Sequence, residues 1–286
     1  MMDISSATTR LRALTAEDLP RAHALSVAVQ WPHREDDWRF MLGLGAGLVA
    51  EVDDAFAGVA MYWSFGMDHA TLGMVIVSPT QQGRGIGRRL LTAILEKTGS
   101  RSVLLNATPE ALALYRQLGF APIGEVRQHQ GVAGHVPVIA MPPGERLRPI
   151  DQTDLAALAA LDARATGMRR TAALAAVLEA GDGVVLTSAD GAPTGFSLFR
   201  RFGRGYAIGP VIAPDADRAK ALITHWVAAN TGKFVRIDVP VGAHLCDWLD
   251  GLGLQAVNPV TTMVRGTAPA RDEQVAPFAI ISQALN

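Results

Sequence analysis

The chain repeats itself. RLRALTAEDLPRAHAL, from Arg10 to Leu25, is answered by RLRPIDQTDLAALAAL, from Arg146 to Leu161, 136 residues further on. At that offset Arg10, Leu11, Arg12, Asp18, Leu19, Ala24 and Leu25 meet Arg146, Leu147, Arg148, Asp154, Leu155, Ala160 and Leu161. The register runs without a gap to Gly45 and Gly47, which meet Gly181 and Gly183, and drifts only slightly beyond. Val77-Ser78-Pro79 then answers Ile212-Ala213-Pro214, and Leu118-Gly119-Phe120 answers Leu252-Gly253-Leu254. Chance similarity between Ala- and Leu-rich helices does not keep glycines and charges in one register over such a length. The chain must therefore fold as one architecture built twice.

Each half reads as the same order of elements. The R-L-R segment is a strand, and a helix starts at a polar cap, Thr15 with Asp18 or Asp151 with Asp154. A second helix follows, around Asp36–Leu44 or Thr171–Ala180. Strands come next, at Leu48–Val52, Ala57–Trp63 and Thr71–Val77, with counterparts at Val184–Ser188, Gly195–Phe202 and Gly205–Val211. A helix, a strand, a helix and a final strand are expected to close each unit. This mixture predicts an α/β class of the α+β kind, each half a mixed, mostly antiparallel central sheet flanked by helices. The turn-rich Met141-Pro142-Pro143-Gly144 places the joint between residues 1–142 and 143–286.

Between strand and helix of the first half lies VIVSPTQQGRGIGRRLLTAILE, Val75 to Glu96. Val75, Ile76 and Val77 read as a buried strand; Leu90, Leu91, Ile94 and Leu95 share one helical face. Gln82, Gly83, Arg84, Gly85, Ile86 and Gly87 open that helix, with Arg88 and Arg89 just inside it. Glycines let backbone N–H groups approach an anion, and a helix N-terminus favours negative charge. The sequence builds a phosphate cradle here. A P-loop would need Lys and Ser/Thr directly after the last glycine, and Arg88-Arg89-Leu90 stands there instead. A dinucleotide fingerprint would need G-x-G-x-x-G, whereas Gly83, Gly85 and Gly87 are spaced by two.

Gln82-x-x-Gly85-x-Gly87 after a V-x-V-x-P strand closely resembles the pyrophosphate loop of the GNAT superfamily of acyl-CoA-dependent N-acyltransferases. Residues 102–120, SVLLNATPEALALYRQLGF, resemble that family's next segment, in which a Tyr hydroxyl lies near the sulfur of coenzyme A. The resemblance implies two tandem GNAT-like domains and acetyl-CoA as co-substrate. It implies that Tyr115 protonates the leaving thiolate, as a phenol held close to sulfur can; a core Tyr aligned with Leu112 and Leu118 is the structural alternative. Asn106 would bond the pantetheine arm or cap its turn, and N–H groups of the Val75–Val77 strand would polarise the thioester carbonyl. The second half has DADRAKALI in place of the Gly loop and CDWLDGL in place of the Tyr segment. Without glycine, and with Asp215 and Asp217 repelling phosphate, it resembles the degenerate C-terminal domain of bacterial two-domain acetyltransferases. Cofactor binding is expected in the first half alone. Asp162, Thr166 and Arg169 would shape an acceptor pocket or serve as cap and surface charges.

The acceptor side is less marked. Gln30 to Trp38, QWPHREDDW, falls between the first two helices, where Trp31, Trp38, His33, Asp36 and Asp37 would hold a cationic amine by charge and ring faces. The alternative is a Pro turn and helix cap with the Trp rings in the core. Tyr62, Trp63, Asp68 and His69 would border the same region. For the general base, His69, Asp68, His33 and Asp37 all qualify. Net charge is −1 with no long basic run, which argues against nucleic-acid or membrane-surface binding. The lone Cys246 rules out an intramolecular disulfide, the seven His show no metal-ligand spacing, and no apolar run is long enough to span a membrane. A cytoplasmic enzyme acetylating a small-molecule amine is the expectation. A lysine or N-terminal protein acetyltransferase and a non-catalytic acyl-CoA sensor are the alternatives.

Overall fold

A computed structural model of the chain describes residues 9–137 and 139–286. The first repeat contains β1 (Thr9–Ala13), α1 (Leu19–Ala28), α2 (Glu35–Leu44), β2 (Ala46–Val52), β3 (Ala55–Phe65) and β4 (His69–Val77). It continues with α3 (Ile86–Thr98), β5 (Ser102–Ala107), α4 (Leu112–Gln117) and β6 (Ala121–Val132). The second repeat contains β7 (Arg146–Pro149), α5 (Leu155–Thr166), α6 (Thr171–Glu179), β8 (Gly181–Thr187), β9 (Pro193–Phe202) and β10 (Gly205–Ala213). It ends with α7 (Ala216–Ala229), β11 (Phe234–Pro240), α8 (Cys246–Gly251), β12 (Gln255–Arg265) and a further strand, β13 (Ala276–Ala279).

The residues that match between repeats carry matching physics. Arg12 forks both oxygens of buried Asp18, at 2.6 and 2.8 Å, and Arg148 forks Asp154 at 2.7 Å on each oxygen. Each carboxylate also accepts a backbone N–H, from Thr15 or Asp151, so one group caps a helical turn and ties it to the first strand. Gly45 and Gly181 sit where a Cβ would strike Trp63 and the Phe199 carbonyl respectively. The repeated glycines are therefore a packing requirement at the start of β2 and β8.

One continuous sheet joins both repeats, in the order β1-β2-β3-β4-β5-β12-β6-β11-β10-β9-β8-β7. The final strands do not close their own units, as the sequence pattern suggested; they are exchanged. β12 pairs antiparallel with β5, Thr262 opposite Asn106, and with β6, while β6 pairs antiparallel with β11, His129 opposite Ile237. Alternating burial fixes which face a strand presents but not which neighbour it meets, so an exchanged strand reads like a self-closing one. The exchange leaves no free strand edge at the joint.

Three layers of core follow. Leu90, Leu91 and Ile94 of α3 pack with Tyr115 and β5 on one face of the first repeat. Leu222, Ile223 and Trp226 of α7 do the same in the second. A third cluster draws on α1, α2, α5 and α6 together, from Leu19 and Trp38 to Leu158 and Leu174, and spans both repeats.

Two splays position the site. β4 and β5 run parallel but pair only where His69–Thr71 face Ser102–Leu104; β10 and β11 pair only where Tyr206–Ile208 face Val235–Ile237. In the second repeat β13 fills the gap: Val211 lies opposite Ala279, and the Ile280 N–H donates to the Asp238 carbonyl at 3.0 Å. No helix among the described residues is long and apolar enough to cross a membrane.

Candidate active site

The Gly loop lies at the end of β4, beside the first splay. Ile86, 1% exposed, pins the first turn of α3 into the core, while Gly83 (φ +78°) and Gly85 (φ +77°) stand in open space. Both take left-handed backbone conformations that side chains with a Cβ rarely adopt. Gln82 donates to the Val77 carbonyl at 3.3 Å, and Arg84 to Gln81 at 2.6 Å; Arg88 hydrogen-bonds Gln117 of α4. The open backbone, the start of a 13-residue helix and the arginines around it fit an anionic phosphate chain. A Cβ on Gly87 would meet Val77 and Leu114 only at 3.6 and 3.7 Å, so this third glycine is not forced by protein packing.

β4 is bulged two residues before Ile76. Gly73 faces Met61 and Ile76 faces Val59, so Met74 and Val75 together oppose Ala60. Met74 takes φ +52°, a left-handed conformation uncommon outside glycine. The bulge turns β4 away from β5 and frees backbone where the two strands part. Val75 and Val77 pack on the α3 and α4 side.

Tyr115 is buried, its ring edge-on to Phe120 with centroids 5.7 Å apart. Burial pushes the phenol pKa well above its usual value, so it holds its proton at neutral pH. Asn106, at the end of β5, donates to the Gln283 carbonyl at 2.9 Å and accepts from Thr262 at 2.7 Å. Its amide is thus held by the second repeat. Residue Ala284 of the same segment touches the bulge, where a Cβ on Gly73 would come within 2.8 Å of it.

A cavity of about 340 Å³ opens onto that point. The first repeat contributes Trp31 and His33 from the α1–α2 loop, Met41, Gly73 and the bulged Met74, Asn106, Gln128 and Gln130. The second repeat contributes Phe202, Arg204, Arg236, Val260 and residues 282–284. Of the acceptor residues expected from sequence, Trp31 and His33 line it. Asp37 is turned away: its carboxylate accepts from the Arg34 N–H and guanidinium, at 2.8 and 2.9 Å, and from the Gly203 N–H at 3.0 Å. It therefore stitches the two repeats together. Asp36 pairs with Arg39 on the surface, and Trp38 is fully buried with its indole on Ser26. Tyr62 packs on the α3 face, and His69 lies at the opposite end of β4 from the loop, across from Phe65 and beside Ser102. In the second repeat Asp162 pairs with buried Arg170 at 2.7 Å.

Sequence reading did not single out Met74, Gln128, Gln130, Arg204, Arg236 or the 282–284 segment. Gln128 and Gln130 alternate along β6, a usable signal once β6 is known to cross between repeats. No local pattern marks the others.

Electrostatically the cavity is cationic. Burial, reinforced by Arg236 and Arg200, pushes the His33 pKa down to about 3, so the ring is neutral. Its Nδ1 is buried without a hydrogen-bond partner among the described residues. Arg236 pairs with Asp238 at 2.9 and 3.0 Å.

A bulged β4 splayed from β5, a left-handed Gly loop opening α3 and a buried, protonated Tyr form the candidate site of the first repeat. The acetyltransferase (GNAT) domain family matches twice, over residues 34–137 and 158–276. An uncharacterized N-acetyltransferase of Bacillus subtilis, YitH, is 31% identical over 219 residues, 75% of this chain and 76% of its own length. An acetyltransferase candidate from Pyrococcus horikoshii superposes with a TM-score of 0.81 at 18% identity, covering 100% of this chain and 99% of that one. A tandem GNAT protein from the clavulanic acid biosynthesis pathway gives 0.66 at 16% identity, over 91% of this chain and all of its own. The chain belongs to the GNAT family of N-acetyltransferases, in its tandem form.

Proposed function

We propose that the enzyme passes acetyl from acetyl-CoA directly to the primary amine of a small molecule, with both substrates bound at once. Acetyl-CoA, the family's general donor, would supply an activated thioester. The Gln82–Arg88 loop would hold its pyrophosphate on α3, and the β4 bulge would present N–H groups to the carbonyl oxygen as negative charge grows there. Tyr115 would give the departing sulfur its proton.

The observation that carries this reading is the cavity. It lies against the bulge, is walled by both repeats, and has the size of small-ligand sites. Among its lining residues there is no carboxylate. Cationic surroundings depress the pKa of a bound ammonium and so favour the free amine that must attack. Neutral His33 offers that amine a lone pair without competing for charge. The second repeat then serves as the outer wall of the first repeat's site.

Incubation with acetyl-CoA and a panel of small amines, with free thiol followed and products identified by mass, tests the proposal. Amine-dependent thiol release with one acetyl added to the amine is expected. Acetyl-CoA binding with no turnover would point to a sensor. Acetylation of peptides but not of small amines would overturn the small-molecule reading.

A further inference from the structure

The cavity's charge says more about the acceptor than that it is an amine. Arg204 and Arg236 both line it, from the β9–β10 hairpin and from β11. Arg236 is 9% exposed and spends Nε and one terminal nitrogen on Asp238. Arg204 is exposed at the rim and has no ion-pair partner among the described residues. Behind them lies Arg200, 4% exposed; among the described residues its Nε is unpaired and its hydrogen bond goes to its neighbour's carbonyl. Arg200 and Arg236 both stack on Phe202, with guanidinium carbons 5.1 and 5.2 Å from the ring centre. His33 meets the same ring edge-on.

The nearby carboxylates offset this charge only in part. Asp37 is committed to Arg34 and the Gly203 N–H. Asp238 is shared between Arg236 and the Gln283 amide. Of Arg200, Arg204 and Arg236, only Arg236 has an ion-pair partner among the described residues, Asp238. A buried guanidinium without a counter-ion is costly unless a ligand supplies one. Burial chiefly pulls the Arg200 pKa down to about 10; Arg236 and Arg34 add to that, and Asp37 and Asp238 work against it.

Resting on the small-amine reading above, we infer that the acceptor carries an anionic group, carboxylate or phosphate, a few atoms from its amine. Arg204 and the remaining nitrogen of Arg236 bind that group, while the amine points inward to His33 and the β4 bulge. A diamine or polyamine would place a second cation against Arg204 and Arg236 and be rejected.

The test compares matched acceptors. An α-amino acid is set against the amine lacking its carboxylate, and O-phosphoethanolamine against ethanolamine, each at saturating acetyl-CoA. The anionic member should show kcat/KM tenfold to a hundredfold higher, the worth of a charge-assisted contact. Preference within the first pair alone names a carboxylate, and within the second alone a phosphate. Arg204→Gln, at an exposed position, should raise KM for the anionic member at least tenfold and largely close the gap between partners, with kcat little changed. Arg236→Lys, which keeps charge beside Asp238 but loses the fork, should do the same more weakly. Thermal shifts induced by the acceptors without acetyl-CoA provide a readout independent of turnover. Amine-dependent turnover with neutral or dicationic amines preferred, and Arg204→Gln indifferent, would overturn the inference while leaving the small-amine reading intact. Absence of turnover with every small amine would instead count against that reading.

Discussion

The two repeats share a frame and differ at every point where an acyl-CoA would touch it. The first begins α3 with glycines in the left-handed region; the second begins α7 with Asp215, whose carboxylate accepts from the Arg218 N–H at 2.9 Å and from its guanidinium at 3.0 Å. The same helix terminus is open and uncapped by a side chain in one and an occupied cap in the other. Both bulge the preceding strand, at Met74-Val75 and at Gly209-Pro210, but proline has no N–H to offer a carbonyl oxygen. Leu249 stands where Tyr115 does: the Phe120 N–H returns to the Tyr115 carbonyl and the Leu254 N–H to the Leu249 carbonyl, each at 3.1 Å. Finally β13 fills the second splay with chain. The duplicated fold retains the ion-pair caps and sheet glycines in both repeats, while the residues at the strand ends differ.

The comparison breaks most visibly at the loop. Gly85→Val puts a β-branched residue at φ +77° and a side chain where phosphate oxygens would approach. Acetyl-CoA affinity should fall roughly 10²–10³-fold, the scale of losing several charge-assisted N–H contacts. Calorimetric titration of a variant with unchanged circular dichroism checks it. Next comes Tyr115→Phe, which keeps ring packing and removes the proton. Turnover should drop about 10²-fold with acetyl-CoA affinity nearly constant. Single-turnover thiol release reads this directly, and undiminished chemistry would return Tyr115 to a packing role.

The shared features should respond alike in both repeats, graded by environment. Asp18 holds Arg12, Arg21 and the Thr15 N–H, whereas Asp154 holds Arg148 and the Asp151 N–H. Asp18→Asn should cost about 2–3 kcal/mol of stability and Asp154→Asn less, since both arginines are partly solvated and screened. Both carboxyls are held below their usual pKa, chiefly by the arginine hydrogen bonds. A depressed folded pKa means the contribution is present above the unfolded value, about 3.9, and is lost as pH falls through the lower folded value. Urea melts between pH 2 and 6 should therefore steepen in the wild type below about pH 4 and flatten in Asp18→Asn. The smallest effect concerns the second loop: Asp215→Ala removes a helix cap, costs about 1 kcal/mol and leaves acetyl-CoA binding untouched.

Much of this was legible in the residues. The offset of Arg12-Asp18 and Arg148-Asp154, the Gly45–Gly181 match and the strand–loop–helix around Gly85 each follow from local chemistry, so pattern exposes them. Strand exchange does not, because β6 and β12 keep the same in-out alternation whichever sheet they join. The cavity between the repeats was half legible. Trp31 and His33 announce themselves by composition, whereas Arg204 and Arg236 reach it only through the folded second repeat. Asp37 shows the converse: a carboxylate offered by sequence as an acceptor ligand or one of several base candidates accepts four hydrogen bonds within the protein.

Stoichiometry tests the asymmetry most directly. Calorimetric titration of the wild-type chain with acetyl-CoA should give one site per chain, lost in Gly85→Val and unchanged in Asp215→Ala. Two equivalent sites, or one site that survives Gly85→Val, would contradict the assignment of the donor to the first repeat alone.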